Sequence, residues 1–110
     1  MKRWPVRLFV LFWLLGSKTI AAAEENAIIS HIPRERVEST AISEIGYSKR
    51  QHWLEIKFVN GAIYRYEDVP VSVHRDLIAA ESKTGYYARY IKNNYRSLRV
   101  RPRVKDEEAR

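Results

Sequence analysis

The sequence predicts an α+β fold: a small antiparallel three-strand meander with two helices packed on one face. Three observations carry that expectation. Residues 53–59 alternate between apolar and polar side chains, the pattern of a half-buried strand. Asn60-Gly61 follows directly, and that dipeptide is a strong hairpin signal. Beyond Val69 the apolar spacing lengthens to that of a helix.

The first strand is Thr40 to Tyr47, weakened at Gly46 because glycine has no side chain to pack. Lys49-Arg50-Gln51-His52 is a polar turn. In the second strand Leu54, Ile56 and Phe58 share one face, with Glu55 and Lys57 on the other. Trp53 falls opposite the apolar face and is expected to be exposed. Asn60-Gly61 is expected to form a type I′ turn, with positive φ at both residues. Ala62 to Tyr66 returns as the third strand, Tyr64 and Tyr66 on one face and Ile63 and Arg65 on the other. Tyr64 is expected beneath the helices. Arg65 is expected on the outer face, where its removal would cost little.

Pro70 suits a first helical position, and Val73, Leu77 and Ala80 then recur at helical spacing. Glu81 to Gly85 interrupts, with Ser82 or Thr84 available as a cap for the next helix. Tyr86 to Tyr95 reads as that helix, its apolar stripe being Tyr87, Tyr90, Ile91 and Tyr95. Leu98, Val100 and Val104 then alternate with Arg99, Arg101 and Arg103. That is a short edge strand with a basic outer face, or a solvated tail. Pro102 excludes a central strand.

A chain of 110 residues is expected to hold one domain. Its N-terminus divides as a secretory signal does. Lys2, Arg3 and Arg7 are a positive start, residues 8–15 are an unbroken apolar run, and Ala21-Ala22-Ala23 offers a cleavage site before Glu24. The run is far short of the roughly 20 residues that span a bilayer. The expected organisation is a signal peptide over 1–23, a linker over 24–38 with a short strand near Ile28 to His31, a domain over 39–96 and a charged extension over 97–110. The protein is then exported, periplasmic or secreted. An uncleaved anchor and a buried helix are the alternatives for residues 1–23. The chain has no cysteine, which excludes a disulfide and a lipid-modified N-terminal cysteine.

Formal net charge is +7 for the whole chain. Loss of residues 1–23 would leave 16 basic and 13 acidic residues, a net +3. That is mildly basic, and its distribution is more informative. From Arg89 to Lys105 there are seven basic residues and no acid, and Asp106-Glu107-Glu108 follows. Arg89, Lys92, Arg96, Arg99, Arg101 and Arg103 are therefore candidate contacts to a polyanion such as nucleic acid. Trp53, Tyr64 and Tyr66 are candidate aromatic contacts, since paired aromatics on a sheet can stack on bases. Core packing competes for the same rings, because a small domain needs their area.

Nothing in the sequence assembles a catalytic centre. His31, His52 and His74 lie in separate segments without metal-ligand spacing. Ser82-Lys83 has no identifiable oxyanion donor and reads better as a helix cap. There is no glycine-rich phosphate loop. No catalytic, cofactor or metal residue is expected, and the functional expectation is a non-enzymatic binding module. Its partner is a nucleic acid or other polyanion, or alternatively a protein of the cell envelope.

One resemblance sharpens the fold. In order come Ser39-Thr40-Ala41-Ile42, Ile45-Gly46-Tyr47, Leu54-Glu55-Ile56-Lys57-Phe58 with Asn60-Gly61, Tyr64-Arg65-Tyr66 and Asp68-Val69-Pro70. They continue with Ala79-Ala80, Ser82-Lys83, Gly85-Tyr86-Tyr87 and Ile91-Lys92 to Tyr95. This stretch, Ser39 to about Tyr95, resembles the KTSC domain, a family named for a segment at the C-terminus of some lysyl-tRNA synthetases. The resemblance implies a small α+β domain, no catalysis, and RNA as a candidate ligand. The chain departs from the family pattern at Thr84, an apparent insertion, in its basic extension after Tyr95, and in its N-terminal segment.

Overall fold

The computed structural model describes residues 26–108. The expected signal peptide and the Ala23–Glu24 cleavage point lie outside them.

The expected meander is the middle of a larger sheet. Five antiparallel strands lie in sequence order: β1 (Glu35–Arg36), β2 (Ile42–Ser48), β3 (Trp53–Phe58), β4 (Ile63–Tyr66) and β5 (Ser97–Arg99). Pairs such as Ile45↔Ile56 and Ile56↔Tyr64 set the central register. The two added strands correct the three-strand expectation. β1 comes from the segment expected to be a linker, and β5 from the stretch left open between a short edge strand and a solvated tail. β1 is two charged residues and β5 only three residues, so neither is long enough to show the alternation that marks a half-buried strand.

The β3–β4 turn also differs from expectation. Among the described residues at that turn, only Gly61 has positive φ, at 93°. Its N–H donates to the Phe58 carbonyl at 2.9 Å, and the Phe58 N–H donates to the Ala62 carbonyl at 2.8 Å. This is a three-residue loop with a left-handed glycine, the next commonest hairpin after type I′.

Pro70 stands just before α1 (Val71–Ala79) in extended backbone, one position earlier than expected. Ser82 caps α2 (Lys83–Tyr86) by accepting the Gly85 N–H. Thr84 ties that helix to the start of β2: its hydroxyl lies 2.9 Å from that of Ser39 and accepts the Ala41 N–H at 3.2 Å. The chain continues as a π-helical turn, Tyr87–Ile91, where the Lys92 N–H reaches the Tyr87 carbonyl. The uniform helix expected over 86–95 is therefore interrupted, and its stripe rotates. Ile91 is fully buried and Tyr87 and Tyr95 pack on the core, but Tyr90 is 50% exposed. Asn93, at φ 65°, lies just past the turn in the left-handed region that asparagine tolerates.

The helices cover one face of the sheet. Ile42, Ile45, Leu54, Ile56, Tyr66, Val69, Leu77 and Ile91 form the core there. Tyr87 meets Phe58 and Tyr66 edge-on, and the Tyr66 and Tyr87 hydroxyls lie 2.7 Å apart. Burial, then that hydroxyl partner, pushes the Tyr66 phenol well above its usual range.

The opposite face is covered too, which the alternation pattern does not predict. Ile28 bridges Val100 in parallel beyond β5, its N–H donating to the Arg99 carbonyl at 2.9 Å. From there the chain crosses the sheet as a strap, burying Ser30 and Ile32, and joins the far edge as β1. Where it crosses β2, a side chain on Gly46 would collide with the Pro33 carbonyl and the stem of Arg34. Glu55, Lys57, Ile63 and Arg65 are all buried beneath this layer. Arg65 is thus an interior residue, contrary to the expectation that it faces solvent.

Candidate functional site

Six charged side chains meet under the strap, and the elements they come from explain how they stay charged there. Glu55 on β3 is fully buried and accepts three hydrogen bonds. These come from the Ser30 hydroxyl at 2.5 Å, Arg34 Nη1 at 3.1 Å and Arg65 Nε at 3.0 Å. Arg34 also donates through Nε to Glu44 at 3.2 Å and through Nη2 to both Asp106 oxygens at 2.7 and 2.8 Å. Lys57 Nζ lies 3.7 Å from Asp106 and 3.9 Å from Glu44. Three cations thus face three carboxylates. Buried charges need that pairing, because each loses its hydration on folding.

Asp106 is delivered by a short helix, α3 (Val104–Glu108), whose first turn it caps by accepting the Arg103 N–H at 2.8 Å. Burial alone would raise its pKa. The Arg103 N–H and the Arg34 guanidinium outweigh burial and bring it down to about 2. For Arg34, burial opposes the charge, and the bonds to Asp106, Glu44 and Glu55 outweigh it. Ser30, Arg34 and Asp106 carry no motif by which sequence could single them out. The one available signal was Gly46, since a glycine inside a strand marks a close backbone approach.

At the hairpin end of this layer lies an open groove of about 590 Å³. Ile29 and Ile32 of the strap form one wall, Tyr47 and Gln51 of the β2–β3 hairpin the other, with Trp53 and Arg65 between them. The Arg65 guanidinium stacks over the Trp53 ring, 4.1 Å from its centroid. Trp53 is therefore half-buried, not the exposed ring expected. Beside the groove, His74 stacks on Tyr47 at 4.7 Å with the rings 7° from parallel, and His52 Nδ1 lies 3.3 Å from the Tyr47 hydroxyl. Tyr47 donates that hydroxyl to the Val69 carbonyl. Burial, offset in part by Glu35, lowers the His74 pKa.

The basic run is dispersed. Arg89, Lys92, Arg96, Arg99 and Arg101 are exposed. Arg96 lies 3.6 Å from Glu67, and Arg99 sits over the Tyr64 ring at 5.4 Å with Nη1 donating to its hydroxyl at 3.5 Å. Arg103 turns the other way, toward Asp106 at 3.5 Å on the strap side of the sheet. Arg99 and Arg103 therefore lie on opposite faces rather than in one stripe. Of the aromatic candidates, Tyr66 is buried and Tyr64 half-buried in the helical layer. Arg89 Cζ is 5.9 Å from the ring of Tyr90, which sequence placed inside the apolar stripe.

Comparison with known proteins places this geometry. The family model described as the KTSC domain matches residues 38–95, more than half of the chain. The chain belongs to the KTSC domain family. A protein of Tsukamurella paurometabola is 39% identical over 62 residues, covering 56% of this chain and 92% of that protein. An uncharacterised protein of Stutzerimonas stutzeri is 35% identical over 68 residues, 61% of this chain and 96% of its own length. A lysine–tRNA ligase of Trichormus variabilis is 31% identical over 64 residues, which are 58% of this chain and 11% of the ligase. The crystal structure of a KTSC domain protein from Yersinia pestis superposes with a TM-score of 0.60 at 31% identity, over 63% of this chain and 97% of that one. The KTSC match contains Glu55, Trp53 and Arg65. Ser30, Arg34 and Asp106, which complete the network, lie outside it.

Proposed function

We propose that this KTSC domain is a non-enzymatic binding module for a polyanion, nucleic acid or another phosphate-bearing chain, which lies across the π-helical turn and β5. The observation that supports the reading is the exposure of Arg89, Lys92, Arg96, Arg99 and Arg101 in an acid-free run that includes the half-exposed ring of Tyr90. Cations neutralise phosphates, and an accessible ring can stack on a base. Tyr90 replaces Tyr64 and Tyr66 in that role, and Arg103 drops out because Asp106 holds it. We take the N-terminal pattern as an export signal cut between Ala23 and Glu24, which N-terminal sequencing of the native protein checks. The test of binding is titration of a labelled single-stranded oligonucleotide at several salt concentrations. Engagement of about three phosphates gives a log–log slope near −2. Replacing Arg89, Lys92 and Arg99 by alanine should remove most of that slope and barely move the melting temperature.

A protein partner at the envelope is the second reading. It draws on Val71, Ile78 and Tyr90, which the helical layer leaves 42%, 41% and 50% exposed. Binding that ignores salt would favour it, since apolar contact releases no counterions.

A further inference from the structure

Arg65 is the least committed cation of the buried network. Its side chain is 10% exposed. Its Nε is spent on Glu55, and Glu55 is shared with Arg34 and Ser30. Arg34 has two further acids to itself or shared, Glu44 and Asp106. Arg65 has no other acid within ion-pair distance among the described residues. Its Nη1 and Nη2 have no hydrogen-bond partner among those residues either, and neither is sealed from solvent. Arg65 lines the groove.

The geometry of the donors selects a ligand. Trp53 holds the guanidinium carbon 4.1 Å from its ring centroid, and Glu55 takes the Nε–H. What remains is the paired outer edge of the fork, which matches the two oxygens of a carboxylate. Around it stand Trp53, Tyr47, Ile32 and the 65%-exposed Ile29. A volume near 590 Å³ falls inside the range of about 300–1,000 Å³ typical of small-ligand sites. We propose that this groove is a binding site for a carboxylate carried on an apolar or aromatic body, held by the Nη edge of Arg65 with the body against Trp53 and Ile29. The carboxylate can belong to a free organic acid or to the end of a peptide chain. This site is independent of the basic surface of the π-helical turn and β5.

Three probes on the full chain test it: phenylacetate, acetyl-Leu-Phe with a free C-terminal carboxylate, and the same peptide as its amide. The readout is the NMR shift of the Trp53 indole N–H and the Arg65 Nε–H. Both carboxylates should shift these signals, and amidation should weaken the peptide by at least about tenfold, because a charge-assisted pair is lost. Phenylacetate binding as tightly as the peptide assigns the site to a free acid. Clearly tighter peptide binding assigns it to a chain end. Arg65→Lys keeps the charge but not the fork and should narrow the difference between acid and amide. If that variant does not fold, the acid–amide comparison on the unmodified chain still decides. An amide that binds as well as the acid overturns the proposal. So does the absence of any Trp53 shift up to about 10 mM, weaker than the affinity scale of useful recognition.

Discussion

Truncating Arg65 removes one of the three donors to Glu55 and strips the cation from the face of Trp53. Glu55 is left buried with less charge compensation, and breaking a buried pair from one side costs roughly 3–5 kcal/mol. Tyr64 is only half-buried, so its loss should cost about 1–3 kcal/mol. Arg65→Ala should therefore lower the urea midpoint more than Tyr64→Ala does. The reverse order would mean that the network contributes little. Two other residues set the pH dependence. Asp106 has a folded pKa of about 2 against an ordinary 3.8, so its contribution is complete above the ordinary value. It is lost as pH falls from about 4 toward 2, and amounts to roughly 2 kcal/mol. His74 also has a depressed folded pKa, below its ordinary 6.5. The neutral ring is the one the fold favours, so stability falls as pH drops through about 6.5 toward that lower value. Thermal melts across pH should show both declines, with Asp106→Asn removing the acid one and His74→Gln the neutral one.

Gly46 shows how elements depend on each other across the sheet. It lies inside β2, where glycine weakens a strand, yet the strap can cross only because no Cβ is present there. Gly46→Ala should push the Pro33 carbonyl and Arg34 away and cost about 1–3 kcal/mol, as overpacking does. A variant with an unchanged midpoint would show the strap to be loosely held. The elements legible in sequence were those whose apolar residues carry the period. β3 declared itself through Leu54, Ile56 and Phe58, and α1 through Val73 and Leu77. The strap, β1 and α3 were not legible, because Ser30, Arg34 and Asp106 are the residue types that usually meet water, and β5 was legible only as one of two alternatives. Alternation in β3 was read as one wet face. It marks instead two buried faces of different chemistry, one packed with rings and aliphatic side chains and one with paired charges. Tyr90 was misplaced for a related reason: a π-helical turn leaves no distinct mark in the residue pattern, so the stripe was drawn on ordinary helical spacing.

For the whole molecule, the question is what the segments outside the KTSC match contribute. The match ends at residue 95 and begins at 38. A fragment of those residues keeps the helical core but loses β1, β5, the strap and α3. Glu55 would retain Arg65 and lose Ser30 and Arg34. Lys57 would retain Glu44, 3.9 Å away, and lose Asp106. The groove would lose the wall formed by Ile29 and Ile32. Relatives matched over 92% and 96% of their length by 62 and 68 residues are themselves short, so the KTSC unit can exist at that size. The fragment should accordingly fold, with solvent reaching Glu55 and Lys57 and softening the loss of their partners. Its urea midpoint should nevertheless fall well below that of residues 26–108. Its m-value should be smaller, because less surface is buried to be exposed again. Amide exchange separates the two contributions. Residues of β3 facing the helices should stay protected in the fragment, whereas the Ile63 and Arg65 amides, which point toward β5, should exchange faster once β5 no longer covers that edge. A fragment as stable as the longer chain would mean that desolvating six charges offsets what their pairing returns, as buried ion pairs can do. The strap and α3 would then serve to build the groove over Trp53 and Arg65 rather than to hold the fold.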